Sequence, residues 1–257
     1  MDIGIEHTPE HGRLPFRAVG GGLGLLVLLG VSAWIYQLTQ GLIATGMRDV
    51  VSWGLYIFTF AFFVGLSAGG LIMASGAEVF GVKALRPLAR IGVLTAAASV
   101  AIAAMTIIPD LGRPERIYNL LIHPRWSSPL IWDVVIIICY FTFAVVDLWV
   151  LAGRRPSSTQ AKTLRVLAYV GLPMAVLLHS ITAWIFGLQI SRPWWNTALM
   201  APLFVTSAIL SGTALVALAA LAAKRFDRFE LGEESWRALA VLMATTIAVD
   251  LFLVASD

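Results

Sequence analysis

Seven runs of about 20 predominantly apolar residues follow one another along the chain, and no other feature constrains its fold as tightly. A run of that length matches the hydrocarbon thickness of a bilayer. The bilayer core holds no water to satisfy stray backbone groups, so each run has to bond its own backbone as a helix. A transmembrane barrel would show short segments of alternating hydropathy instead, and the sequence lacks them. The expected spans are 19–38, 52–77, 91–108, 130–151, 164–189, 199–223 and 235–254. Only 13% of the 257 residues are charged and 59% are apolar, which leaves little material for a soluble domain. The expected fold class is an all-α integral membrane protein of about seven transmembrane helices. The first run reads as a retained helix and not a cleaved signal. Both acids (Asp2, Glu6, Glu10) and bases (Arg13, Arg17) precede it, and Trp34, Tyr36 and Gln37 close it without a small-residue cleavage site.

Basic residues set the orientation. Thirteen of the 18 Lys and Arg fall on the side of the N-terminus and of the loops after the second, fourth and sixth spans. The other five, Arg48, Arg113, Arg116, Arg125 and Arg192, lie opposite. The expected topology is a multi-pass protein of a prokaryotic cytoplasmic (inner) membrane, with its N-terminus cytoplasmic and the 109–129 loop outside. Seven spans put Asp257 outside, directly after an apolar run, so either the C-terminus lies there or further helices follow. The net charge of +3 reflects the topological asymmetry, and no nucleic-acid partner is expected.

The residues that are scarce narrow the chemistry. One cysteine, Cys139, cannot form a disulfide within the chain or hold an iron–sulfur cluster, and its mid-span position reads as packing. Of four histidines, His7 and His11 precede the first span, His123 lies in the outer loop and His179 alone is well inside a span. Paired axial histidines for haem are therefore missing. No catalytic motif, metal spacing or nucleotide-binding glycine loop is visible, so no catalytic or metal-binding residue is assigned.

Ionisable residues inside spans are costly and are functional candidates by default. In the fourth span Ser128 is placed to cap and Pro129 takes the first helical position. Asp133, Tyr140 and Asp147 follow at intervals of seven, which keeps them on one face with a drift of about 20° per step. One reading is a bundle-facing seam with interfacial ends. The other is a quinone headgroup contact near the outer end with a proton route leading inward. His179 is either an interhelical hydrogen-bond partner or a proton acceptor, and Ser180, Thr182 and Trp184 follow it closely. Glu78 and Asp250 sit near span ends, where snorkelling is the plainer reading and a proton route the sharper one. Small residues mark close helix contacts: Gly65, Ser67, Ala68, Gly69 and Gly70 in the second span, and Ser207, Ala208, Ser211 and Gly212 in the sixth. Phe63-Val64 and Phe204-Val205 begin similar runs, and Trp53 and Trp194 share their offset. This echo points to two four-helix bundles, 1–151 and 152–257, the second lacking an eighth helix in this sequence.

The segment Pro109-Asp110-Leu111-Gly112-Arg113-Pro114-Glu115-Arg116, with His123-Pro124, Ser127-Ser128-Pro129 and Trp132-Asp133, resembles the signature of the polysulfide-reductase membrane-subunit family (NrfD/PsrC type). His179, Pro193-Trp194-Trp195-Asn196, Pro202-Leu203-Phe204, Ser207-Ala208 and Ser211-Gly212 continue it in order, over roughly residues 45–215. The resemblance implies eight to ten helices, where seven are visible here, and a membrane anchor without haem or iron–sulfur cluster of its own. Such a subunit exchanges electrons between a quinone (menaquinone or ubiquinone) and an iron–sulfur electron-transfer subunit, usually joined to a molybdopterin catalytic subunit. On this reading His123 and Asp133 would bond the quinone oxygens, with Tyr140 deeper on the same face. Asp147, His179, Glu78 and Asp250 would form the proton pathway. Asp110, Arg113 and Arg116 would dock the partner; their plainer reading is pairing with one another and with lipid headgroups. The competing functions are an ion or proton transporter without a redox partner, which calls for helices broken at mid-membrane (Pro173 is the one hint), and a purely structural anchor.

Overall fold

Apolar runs of this length become helices whose ends are set by the polar and glycine residues beyond them. The computed structural model describes residues 16–48, 53–153, 158–225 and 230–257. Its helices are α1 (Phe16–Gln40), α2 (Leu55–Val79), α3 (Ala89–Asp110), the single-turn α4 (Asn119–Ile122), α5 (Pro129–Leu151), α6 (Ser158–Gly187), α7 (Met200–Arg225) and α8 (Glu233–Ser256). Among the described residues, seven helices are long and apolar enough to cross a membrane. The chain is thus an all-α, multi-pass membrane protein.

The expected spans agree with these helices within a few residues except at the start of α6, which begins at Ser158 and not at 164. Hydropathy does not register a polar first turn. Here the turn is anchored by Gln160, whose amide donates to the Val150 carbonyl at the end of α5 (2.7 Å). At the start of α5, Pro129 holds the first position as expected, but the Ser128 side chain makes no capping bond. The Ile131 N–H is taken by the Ser128 backbone carbonyl instead (3.3 Å). Cys139 also departs from expectation: it is exposed on the outer face of α5 and is not a packing residue. Gly112 turns the chain out of α3 with φ 63°, a region that side chains disfavour.

The chain forms two compact units, residues 1–52 and 53–257. The first contains α1 and a 3₁₀ turn, Leu42–Thr45, bounded by glycines. The second contains α2–α8, with α2 at its centre packed against α3, α6 and α7. From Val64 to Ala77 every residue of α2 is buried. In a membrane such contact rests on close packing, since lipid tails are as apolar as the side chains, and small residues let backbones approach. A methyl group placed on Gly69 would overlap the Ala208 carbonyl oxygen and stand 2.6 Å from its carbon, so α2 and α7 cross backbone to backbone there. On the adjoining face, one on Gly70 would stand 3.0 Å from the Gly92 carbonyl oxygen of α3. The small residues picked out in α2 and α7 thus mark real crossings, although Ser207 itself faces outward. Helices from both halves of the expected division at residue 151 share one core, which includes Val64, Val100, Tyr140 and Leu178.

Candidate functional site

The side chains that α5 buries are Ile131, Asp133, Ile136, Tyr140, Ala144 and Asp147, spaced as one helical face. The heptad of polar groups therefore does point into the bundle, and each member meets a different neighbour. Near the start of α5, Asp133 is 2% exposed and accepts a hydrogen bond from the Thr182 hydroxyl of α6 (2.7 Å). Thr182 also lies within bonding distance of the Leu178 carbonyl one turn back (3.1 Å). A carboxylate in an apolar interior without such a partner would cost several kcal/mol.

Midway along the face, Tyr140 is fully buried and donates to the Ser67 carbonyl of α2 (2.9 Å). The two hydroxyl oxygens lie 3.0 Å apart, and the Ser67 hydroxyl donates to the Ala96 carbonyl of α3 (2.7 Å). This network joins α5, α2 and α3 at one level. Tyr140, expected on a quinone face, has its hydroxyl committed to Ser67.

At the C-terminal end of α5, Asp147 lines a cavity of about 330 Å³ with Ser75, Glu78, Arg86 and Arg165. Glu78 forms ion pairs with Arg86 (3.0 Å) and Arg165 (3.4 Å), so it ties the end of α2 to the 83–88 turn and to the first turns of α6 and is not a lone snorkelling acid. Of the four residues assigned to a proton pathway, Asp147 and Glu78 are thereby brought together. His179 and Asp250 lie elsewhere. His179 is buried beside Phe204, ring centroids 5.1 Å apart, and its Nδ1 has no hydrogen-bond partner. Gly65 makes room for that ring: a methyl there would stand 3.3 Å from two of its atoms. Asp250 accepts from Thr206 across α7 and α8 (2.7 Å).

Two cavities open at the other end of this unit. One, of about 660 Å³, lies between the 111–125 loop and the first turn of α5, and Arg113, Arg116, His123 and Arg125 line it with Leu120 and Ile131. The second, of about 730 Å³, is mostly apolar and lies between the start of α5, the end of α6 and the start of α7, with Trp132, Ile181, Trp184 and Met200 in its wall. His123 lines the arginine cavity and Asp133 lines neither: Asp133 bonds Thr182 of α6, and its neighbour Trp132 lines the second cavity. The indole N–H of Trp132 donates to the Trp126 carbonyl (2.9 Å), folding the loop back over the start of α5. Asp110 pairs with neither Arg113 nor Arg116, and its Oδ1 is buried without a hydrogen-bond partner. The pairing of these three residues with one another is thus not found.

Sequence reasoning missed three contributors. Thr182 was visible only as a neighbour of His179, three residues away and on the same face. Ser67 looks from the sequence like a small packing residue, whereas its hydroxyl is the hub of the Tyr140 network. The third is an aromatic column in which Trp53 stacks on Trp195 (5.5 Å), Phe186 meets both, and Phe204 links Phe186 to His179. The motif Pro193-Trp194-Trp195 hinted at its outer end, but Trp194 itself is exposed.

Comparison with known proteins places this architecture. The chain is 39% identical over 246 residues to a Halobacterium salinarum protein named as a dimethyl sulfoxide reductase membrane subunit, covering 89% of this chain and 56% of that one. It is 30% identical over 227 residues to the Hdr-like menaquinol oxidoreductase integral membrane subunit of Archaeoglobus fulgidus, covering 88% and 56%. It is 24% identical over 269 residues to a selenate reductase subunit of Mesobacillus selenatarsenatis, covering 91% and 63%. The chain spans between about half and two-thirds of the length of these relatives. Residues 43–255 match the family described as polysulphide reductase, NrfD, and with that match over most of its length the chain belongs to the NrfD family.

Proposed function

We propose that the chain is the membrane-anchor and quinone-interacting subunit of a multi-subunit oxidoreductase. It exchanges electrons between the quinone pool and an iron–sulfur partner on the outer face of a prokaryotic cytoplasmic membrane. The observation that carries this reading is the Asp133–Thr182 pair, a buried carboxylate and hydroxyl whose chain neighbours Trp132 and Ile181 line an apolar, tryptophan-lined cavity. A flat ring with a long apolar tail suits that cavity, and Asp133, a group able to hold a proton, is next in the chain to Trp132 of its wall. A quinone bound there supplies chemistry in which electrons and protons move together at its two oxygens. The chain's own part is to seat the ring between Trp132 and Trp184 and to hold a proton at the Asp133 carboxyl, with Thr182 fixing its orientation.

The other assignments follow from position. Tyr140 works behind the site, locking α5 to α2 and α3 so that Asp133 keeps its register against α6. Asp147 and Glu78 mark where protons enter from the cytoplasmic side, through the inner cavity. His179 and Asp250 lie deeper among α6–α8 as further proton-holding groups. Asp110, Arg113, Arg116 and His123 shape the outer loop that the partner meets. The names of the relatives support the reading, since they describe membrane subunits of reductases and, in one case, a menaquinol oxidoreductase.

A proton or ion transporter is the alternative, favoured by the acids and arginines gathered at the inner cavity. Against it, α6 runs unbroken through Pro173, where a transporter fold would break a helix. Purification of the full chain from mild detergent separates the two. The proposal expects co-purifying iron–sulfur and molybdenum polypeptides, exchangeable quinone and no haem absorbance. A chain that purifies alone and carries a proton or cation flux in liposomes would refute it.

A further inference from the structure

Topology rations basic residues on the outer side of this chain, yet three of the five found there, Arg113, Arg116 and Arg125, meet around one cavity. No carboxylate lines it: Glu115 and Asp110 both stand outside the wall. Among the described residues the ion pairs gather at Glu78, and none of these three guanidiniums has one. All three arginines are exposed, so water and mobile ions ease their mutual repulsion, and three guanidiniums around about 660 Å³ still favour an anion between them. The remaining wall is largely apolar, with Leu120 and Ile131 beside the charged heads. The cavity also lies at the level where α5 begins, the boundary between hydrocarbon and water in the proposed topology.

We propose that this cavity binds the phosphate headgroup of an anionic phospholipid of the outer leaflet. Arg113, Arg116 and Arg125 take the phosphate oxygens, for which the planar guanidinium fork is suited, and Leu120 and Ile131 contact the start of the acyl chains. An acidic protein partner would meet the projecting surface of the loop, where Glu115 is exposed; a concave, apolar-walled site suits an amphiphile. The lipid braces the 111–125 loop against α5. The proposal goes beyond the quinone reading and stands independently of it.

Native mass spectrometry of the delipidated full-length chain, titrated with phosphatidylglycerol or phosphatidylcholine, tests it. The unaltered chain should retain one phosphatidylglycerol with at least about tenfold preference, falling as salt rises. Arg113→Gln, Arg116→Gln and Arg125→Gln should each weaken retention about fivefold, while Lys224→Gln at the far end of α7 should not. The comparison of the two lipids on the unaltered chain does not depend on the folding of any variant. Equal retention of both lipids, or full retention by the triple Gln variant, overturns the proposal. So does inorganic phosphate binding as tightly as the lipid, which would make the site one for a small free anion.

Discussion

Replacing Gly69 by Ala tests the central packing of the molecule. The added methyl would stand 2.6 Å from the Ala208 carbonyl carbon, and carbon atoms pack at about 3.5–4.0 Å. The obstacle is backbone, which cannot swing aside, so α2 and α7 have to part by roughly 1 Å. A gap of that size forfeits about a quarter to a half of each dispersion contact along the crossing. Overpacking of this kind costs about 1–3 kcal/mol, and a backbone obstacle puts Gly69→Ala at the upper end. At about 2–4 °C per kcal/mol for a chain of this size, the midpoint should fall by roughly 5–10 °C. Gly76→Ala is the control: its methyl would meet the Phe80 ring at 3.6 Å, ordinary contact, and the gain in helix propensity makes it neutral or slightly stabilising. Gly65→Ala should fall between them, because its neighbour is the His179 ring at 3.3 Å. Thermal unfolding in detergent, followed by size-exclusion fluorescence, reads all three. If Gly69→Ala melts within about 1 °C of Gly76→Ala, the backbone-to-backbone crossing of α2 and α7 is wrong.

Tyr140→Phe removes the donor to Ser67 but leaves the Ser67–Ala96 bond, so it should cost about 0.5–1.5 kcal/mol of stability. Quinone-linked turnover per assembled complex should stay close to that of the unaltered protein; a collapse of turnover with unchanged stability would return Tyr140 to the quinone site. Single cysteines at Glu115 and Ser158, labelled in intact cells with an impermeant maleimide, should react only at Glu115, and reaction only at Ser158 would invert the topology.

The spans were legible because hydropathy in a membrane protein reports almost directly on burial in lipid. The polar first turn of α6 was not, since nothing apolar marks it. The face of α5 was legible from the spacing of Asp133, Tyr140 and Asp147, and the close crossings from runs such as Gly69-Gly70 and Ala208 to Gly212. Partners were a different matter. Whether Asp133 meets His123, ten residues away, or Thr182, forty-nine away, depends on how α6 is set against α5 and on the fold of the loop, and no local pattern encodes either. The Glu78 ion pairs and the three cavities likewise exist only once α2, α5 and α6 share one core.

The central claim is that Asp133 serves a quinone and does more than hold α5 to α6. Asp133→Asn keeps the shape and an acceptor for Thr182 while removing the ionisation. The assay compares quinone-linked with artificial-dye activity of the same purified complex carrying this substitution. A quinone role for Asp133 predicts normal assembly and dye activity, with quinone-linked electron transfer lower by about 10²–10⁴-fold, the usual contribution of an acid–base group. Equal retention of both activities, or poor assembly with normal turnover per assembled complex, would contradict it.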